Sequence, residues 1–257
     1  MNKLIIFETN NQDGIMSKVK RFYPSSYTEE EISQAFLKTR QKIGEKYNFN
    51  GLKILQPAQK DVEKTFTYPD GTYKRIDESC LNQKDLWNEK IPADILVLDS
   101  NYPNIVVGHR MADCPVIIAE DRKQQVVAVS HCGAMQINRK VPMYTIKALQ
   151  KEVNSNKNDI FVYIGSCIKK DSYTYDCYPN WATDKTIWKD CIEKKDNIYY
   201  IDLVTAIINQ LDIPKENITV SPIDTYKDPT YYSHVSEIKK EEKPSGQNFV
   251  GAFYKSE

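Results

Sequence analysis

Between Asp94 and His131 the chain carries four short aliphatic runs, Ile95–Leu98, Ile105–Val107, Cys114–Ala119 and Val126–Ser130, separated by turn chemistry. Runs of this length, rich in β-branched residues and apolar on both alternating positions, suit strands covered on both faces, so this stretch reads as a buried sheet. Around it, strands and helices alternate. A strand is expected at Leu4–Phe7. A helix follows from Thr28, where Thr28 and Glu31 form a capping box and Ile32, Phe36, Thr39, Ile43 and Tyr47 make one stripe; Asn48 to Gly51 stops it. A strand, a turn and a second strand fit residues 52–62, with a turn at Tyr68–Thr72 and an excursion loop running to Pro92. Beyond His131 the pattern gives a helix from about Pro142 with Ile146, Leu149 and Val153 inward. After it come a strand at Ile160–Ile164, a tyrosine-rich segment to Asn180, a helix near Asp184–Cys191 and a strand at Ile198–Ile201. A helix capped by Asp202 and a strand at Ile218–Val220 complete the reading. No Gly/Ser-rich or Pro-rich linker interrupts the series. The expectation is one α/β domain over residues 1–257, a mixed-sheet sandwich with helices on its faces.

Composition narrows the function classes. The 257 residues carry 35 Lys+Arg and 35 Asp+Glu, so no bulk field draws the chain to nucleic acid or to an anionic membrane. No run reaches the roughly 18 to 20 apolar residues that cross a bilayer, and the opening residues lack a signal peptide's apolar core. Six cysteines are scattered without CxxC pairs, which fits a reducing compartment, and the chain is placed in the cytoplasm. The partner expected is a small molecule; composition leaves the oligomeric state open.

Chemistry has few places to sit, because the chain has only three histidines, His109, His131 and His234. If the third and fourth apolar runs form a hairpin closing between Ala119 and Val126, Cys114 falls opposite His131, with both side chains on one face. A one-residue slip would separate them. An imidazole beside a thiol stabilises the thiolate, a nucleophile, and the same two groups are soft ligands for zinc or copper; spacing does not choose between these. A plainer alternative makes Cys114 a small core residue and His131 the closing residue of a strand. His109 lies five residues before Cys114 and would face away on an unbroken strand, unless Met111-Ala112 holds a bulge. Asp113 alternates away from Cys114, which favours an anchoring bond. The run Tyr173–Tyr178 with Trp181 either lines a pocket for a flat ring or packs a loop.

Ala112-Asp-Cys-Pro-Val-Ile-Ile118, His131-x-Gly133, Ile164-Gly-Ser-Cys-Ile168 and Tyr231-Tyr-Ser-His234 ahead of Ser245-Gly246 together resemble the laccase-like "multicopper polyphenol oxidoreductase" domain family. The resemblance implies an α/β sandwich shared with the Cys/His deamidase domain of cytotoxic necrotizing factor. It also implies purine nucleoside phosphorylase activity, some members deaminating adenosine and a bacterial branch being tied to peptidoglycan editing. One Cys and two His around zinc or copper carry the family's chemistry. Cys114 and His131 match the first two of these positions, as catalytic residues and metal ligands. Ala58 stands where the third ligand belongs, so Gln59, Cys167 or another histidine would have to supply it. Ala134 and Met135 replace a Trp and an Arg of the family pattern, Lys169–Ser172 replaces a glycine-rich stretch, and Val235-Ser236 an Arg pair. Arg110, His109, Cys167 and His234 are the candidate substrate-binding residues, with Lys169 and Lys170 as further cations for an anionic substrate. The expected function is thus a divergent purine nucleoside phosphorylase-type transferase acting on adenosine or inosine. Its alternatives are a metal-independent Cys-His amide or amidine hydrolase or deaminase, and an inactive small-molecule-binding homologue.

Overall fold

The computed structural model describes residues 2–47, 54–57, 72–81, 89–91, 93–241 and 243–256. Two large mixed sheets face one another. The first contains, in spatial order, β1 (Lys3–Glu8), β14 (Asn248–Lys255), β6 (Val106–Met111), β2 (Ile54–Pro57) and β4 (Glu89–Ile91). The second runs β13 (Ile218–Val220), β9 (Ile160–Ile164), β7 (Val116–Asp121), β8 (Val126–His131), β5 (Ile95–Asp99) and β3 (Tyr73–Arg75). A small third sheet holds β10 (Thr174–Tyr175), β12 (Ile198–Ile201) and β11 (Ile192–Lys195). The helices are α1 (Glu29–Tyr47), α2 (Glu78–Leu81), α3 (Ala134–Asn138), α4 (Val141–Val153), α5 (Lys185–Trp188), α6 (Leu203–Ile208) and α7 (His234–Ile238).

Three apolar clusters give the layering. Leu96, Leu98, Val107, Val116, Ile118, Val127, Val129 and Val250 pack between the two large sheets. On the far side of the second sheet Val97, Ile117 and Ala128 meet Ile146 and Leu149 of α4 and Ile207 of α6. On the far side of the first, Val106, Phe249 and Phe253 meet Phe36 and Ile43 of α1. The result is helix, sheet, sheet, helix, so the central strands are covered twice. This is why the runs of β5, β7 and β8 are apolar at consecutive positions.

The capping box forms: Thr28 N–H donates to Glu31 Oε2 at 2.7 Å and Glu31 N–H to Thr28 Oγ1 at 3.2 Å. Asp202 caps α6 by accepting from Thr205 N–H at 2.9 Å. Elsewhere the structure differs from expectation. The excursion loop contains β3, α2 and β4. The predicted helix near Asp184–Cys191 shrinks to α5, and the predicted second strand of residues 52–62 lies outside the described residues. The hairpin closes between Asp121 and Val126, not between Ala119 and Val126, and His131 pairs with Val116. Asp121 sets this turn by accepting from Lys123 and Gln124 N–H, each at 2.9 Å, with Gln125 at φ 54°. A two-residue shift preserves the face of every side chain, whereas one residue would reverse it.

The C-terminal strand β14 has no counterpart in the sequence reading, yet it joins β1 to β6 along most of their length. Gly108 and Gly251 pair across β6 and β14, and the Phe249 ring lies over both. A Cβ on Gly108 would meet Phe249 Cζ at 2.3 Å and the Val250 carbonyl at 2.6 Å. The glycines are required here by space. Gly108→Ala is expected to destabilise the fold by about 1–3 kcal/mol in urea unfolding, because the ring is displaced while the carbonyl cannot yield; an unchanged midpoint would show that β6 and β14 adapt.

Candidate active site

β6 belongs to the first sheet and β7 to the second, so residues 112–115 carry the chain from one to the other at the end of the intersheet layer. Asp113 makes the crossing possible. It sits at φ 80°, a conformation that Asp and Asn tolerate better than most residues, and it is buried. Its carboxylate accepts from Thr225 Oγ1 at 2.7 Å, Ser233 Oγ at 3.0 Å and Val235 N–H at 2.7 Å, while its carbonyl accepts from Ile168 N–H at 3.0 Å. Desolvation raises its pKa, and the three donors oppose that rise.

With the crossing fixed, Cys114 lies beside β8 and β9. A Cβ built on Gly133 would meet Cys114 Sγ at 2.9 Å, His131 Cε1 at 3.1 Å and Gln136 Oε1 at 3.2 Å. Three side chains therefore pack against Gly133 closely enough that any side chain in its place would collide with them. Its φ of −68° suits any residue, so the glycine supplies space here and not backbone freedom. His109 also belongs to this assembly: its ring stacks on that of His131 with centroids 4.6 Å apart and planes 24° apart. Of the two orientations the sequence allows for His109, the one toward Cys114 is found, because β6 ends at Met111 and the chain changes sheet, so alternation does not carry through. His109 is buried behind His131, with Nδ1 2.6 Å from the Arg110 carbonyl.

Cys167 continues the register of β9 against the β7 segment, between the bonds Gly165 N–H to Val116 O and Ile168 N–H to Asp113 O, and so stands opposite Cys114. It is buried, and Lys169 Nζ lies 3.4 Å from its sulfur. Arg110 alternates to the other face of its sheet, where Nη1 donates to Ser17 Oγ at 3.1 Å, so it faces away from Cys114 and His131. His234 opens α7 on the surface, 3.7 Å from Glu237, and only its neighbours Ser233 and Val235 reach inward to Asp113. Lys170 pairs with exposed Glu193. Tyr173, Tyr175 and Trp181 pack against the core, Tyr173 and Trp181 stacking at 6.3 Å, which favours the loop-packing role. Ala58 and Gln59 lie outside the described residues.

Burial governs the electrostatics of the pair. Part of Cys114 reaches solvent, yet its sulfur is ringed by protein, and desolvation, the Asp113 charge and Cys167 push the thiol up to about 12. Desolvation takes His131 down to about 4. At neutral pH the pair is thiol and imidazole, not thiolate and imidazolium.

These residues do not fit the metal that the family pattern implies. A histidine binds through a lone pair in its ring plane, and the near-parallel planes of His109 and His131 do not aim two such pairs at one point. Among the described residues no group of three His, Cys, Asp or Glu is arranged to hold an ion.

The sequence profile of the family described as "Multi-copper polyphenol oxidoreductase laccase" matches residues 72–250, and the chain belongs to that family. A purine nucleoside phosphorylase of Clostridium acetobutylicum is 29% identical over 105 residues, 41% of this chain and 44% of that protein. The match thus spans less than half of that relative. Among solved structures, YlmD from Geobacillus stearothermophilus superposes with a TM-score of 0.71 at 17% identity, covering 87% of this chain and 81% of that one. YfiH of Bacillus licheniformis gives 0.67 at 16% identity, covering 86% and 82%. Both likenesses are of fold. Among the described residues no helix is long and apolar enough to cross a membrane.

Asp113→Ala would strand three donors and place an alanine at positive φ. It is expected to cost about 2–4 kcal/mol in denaturant unfolding, and a change under half that would remove Asp113 as the anchor of the crossing. The lowered pKa of His131 fixes a second outcome. The unfolded ring protonates near its ordinary value of 6.5 and the folded ring only near 4, so the contribution is intact above 6.5 and is lost as pH falls toward 4. His131→Gln should flatten the stability profile across that window relative to the parent chain; parallel profiles would refute the shift.

Proposed function

We propose that the protein is a divergent purine nucleoside phosphorylase-type enzyme that acts on adenosine- or inosine-like nucleosides through the Cys114 and His131 pair beside Gly133. The observation that carries this reading is the convergence of Cys114 and His131 on that glycine. The family and the partial likeness to a clostridial purine nucleoside phosphorylase support it. In this reading a phosphate oxygen bonds to C1′ of the ribose as the C1′–N9 bond breaks, its electron pair leaving with the purine. Neutral His131 accepts the phosphate's proton and returns it to the departing base, and the Cys114 thiol offers an uncharged donor at the same point. No step above is routed through the zinc or copper of the family pattern, which these residues do not fit. All six cysteines are free, in accord with a cytoplasmic setting.

A second reading uses the same pair as a metal-independent hydrolase or deaminase. Cys114 sulfur attacks an amidine carbon, His131 passes the thiol proton to the departing amine, and water then cleaves the thioester-like intermediate. The thiol and imidazole meeting without a third described donor is what favours it.

The test is release of free base from adenosine and inosine with and without phosphate, alongside ammonia release and metal content after purification without chelator. Phosphate-dependent base release that falls at least about 100-fold in Cys114→Ala and in His131→Ala, with their melting behaviour retained, is the expected result. Ammonia release without phosphate would favour the second reading. No turnover of either kind, or full activity in Cys114→Ala, would leave a small-molecule-binding homologue.

A further inference from the structure

We infer that the cavity beside Tyr178 and Trp188 is a binding site for a planar aromatic anion, a carboxylate or phosphate borne on a fused ring. It is separate from the Cys114 and His131 pair and does not rest on the nucleoside reading.

The cavity holds about 600 Å³ and is lined by Tyr178, Lys185, Thr186, Trp188, Lys189 and Ile192. Sites that take small organic ligands run from roughly 300 to 1,000 Å³. Packing fixes its walls. Trp188 is 1% exposed, so the cavity meets only a margin of its ring. That ring is held by Nε1 donating to Asn138 Oδ1 at 2.6 Å and by an edge contact with Trp181, centroids 5.1 Å apart. Tyr178 is 44% exposed and stands perpendicular to Tyr199 at 5.8 Å. Ile192, half-buried, begins β11. An indole, a phenol and a branched aliphatic chain thus border open space, surroundings that favour a flat apolar ring over water.

The charge of the ligand follows from α5. Lys185 is its first residue and Lys189 its C-terminal cap, still helical at φ −49° and ψ −48°, so the two lie one turn apart on one side and both line the cavity. Neither ammonium has an ion pair or hydrogen bond among the described residues. Their neighbours are taken: Lys140 lies 3.7 Å from Asp184, Lys170 lies 2.6 Å from Glu193, and Lys194 sits over the Tyr199 ring at 5.4 Å. In a chain whose 35 Lys+Arg and 35 Asp+Glu balance, two cations are left without a countercharge at an aromatic wall. A ligand that fills the apolar space and meets both must join a flat ring to an anionic group. A neutral ring would leave the ammonium pair unanswered, and inorganic phosphate alone would leave the apolar space unfilled.

Calorimetric titration of the full chain with 2-naphthoate, 2-naphthyl phosphate and uncharged 2-naphthamide tests the site. At least one anion is expected to bind about fivefold or more tighter than the amide, and the tighter anion identifies the charged group as carboxylate or phosphate. The double variant Lys185→Glu, Lys189→Glu should weaken that anion by about tenfold or more and leave the amide within about twofold. Tyr178→Ala should weaken all three ligands. Thermal melting checks the folding of each variant, and Lys185→Gln with Lys189→Gln serves if charge reversal lowers the midpoint. Equal binding of amide and anions, an anion affinity unchanged in the lysine variants or in Tyr178→Ala, or no binding of any of the three overturns the site. Each of these results leaves the reading of Cys114 and His131 where it stands.

Discussion

The buried carboxylate of Asp113 is the constraint on which the rest of the molecule turns. Two sheets stacked face to face need a strand-to-strand link that leaves one and enters the other, and residues 112–115 provide it. A link at the edge of an apolar layer exposes backbone groups to desolvation unless something bonds them. Asp113 accepts the positive φ that the turn requires and ties the link to Thr225, Ser233 and Val235, three points far away in sequence. Cys114 is carried along as the next residue. The position of the sulfur is therefore a consequence of how the sheets are joined, and the same joint decides that His109 and His131, one from each sheet, meet across the gap at 4.6 Å.

Enclosure explains the character of the Cys114 and His131 pair. Out of water a thiol keeps its proton and an imidazole sheds one, and Cys114 and His131 shift in those directions, Cys114 with the Asp113 charge added. Such a pair relays protons to a neutral ligand more readily than it holds an anion. The cations at hand, Arg110, Lys169 and Lys170, are engaged with Ser17, with Ser221 and Cys167, and with Glu193. This separates the chain from the family pattern, in which a Trp and an Arg follow the His-x-Gly segment; here Ala134 and Met135 take those places. The substitution leaves a small residue and a methionine where the family has a ring and a charge.

Much of the architecture was legible in local signals. The Thr28/Glu31 box, the Asp202 cap, and the apolar runs that became β5, β7 and β8 are written in residues within a few positions of each other. The strand β14 was not, because Gly251 and Asn248 break its apolar pattern. Gly251 is there to admit the Phe249 ring, and Asn248 to bond Tyr232, both dictated by neighbours distant in sequence. The hairpin register was misjudged by two residues because Asp121 turns the chain through its side chain.

The candidate pair, Cys114 and His131, could be named from the sequence alone, since so few residues of this chain carry that chemistry. Their packing together with Gln136 against Gly133, and the turning of His109 toward them and of Arg110 away, were decided only in three dimensions. Hydrophobic periodicity and capping act within one turn or one strand, so a sequence states them directly. Which sheet a segment joins depends on the summed burial of elements separated by most of the chain, and a single crossing between sheets cancels the alternation from which a side chain's direction would otherwise be read.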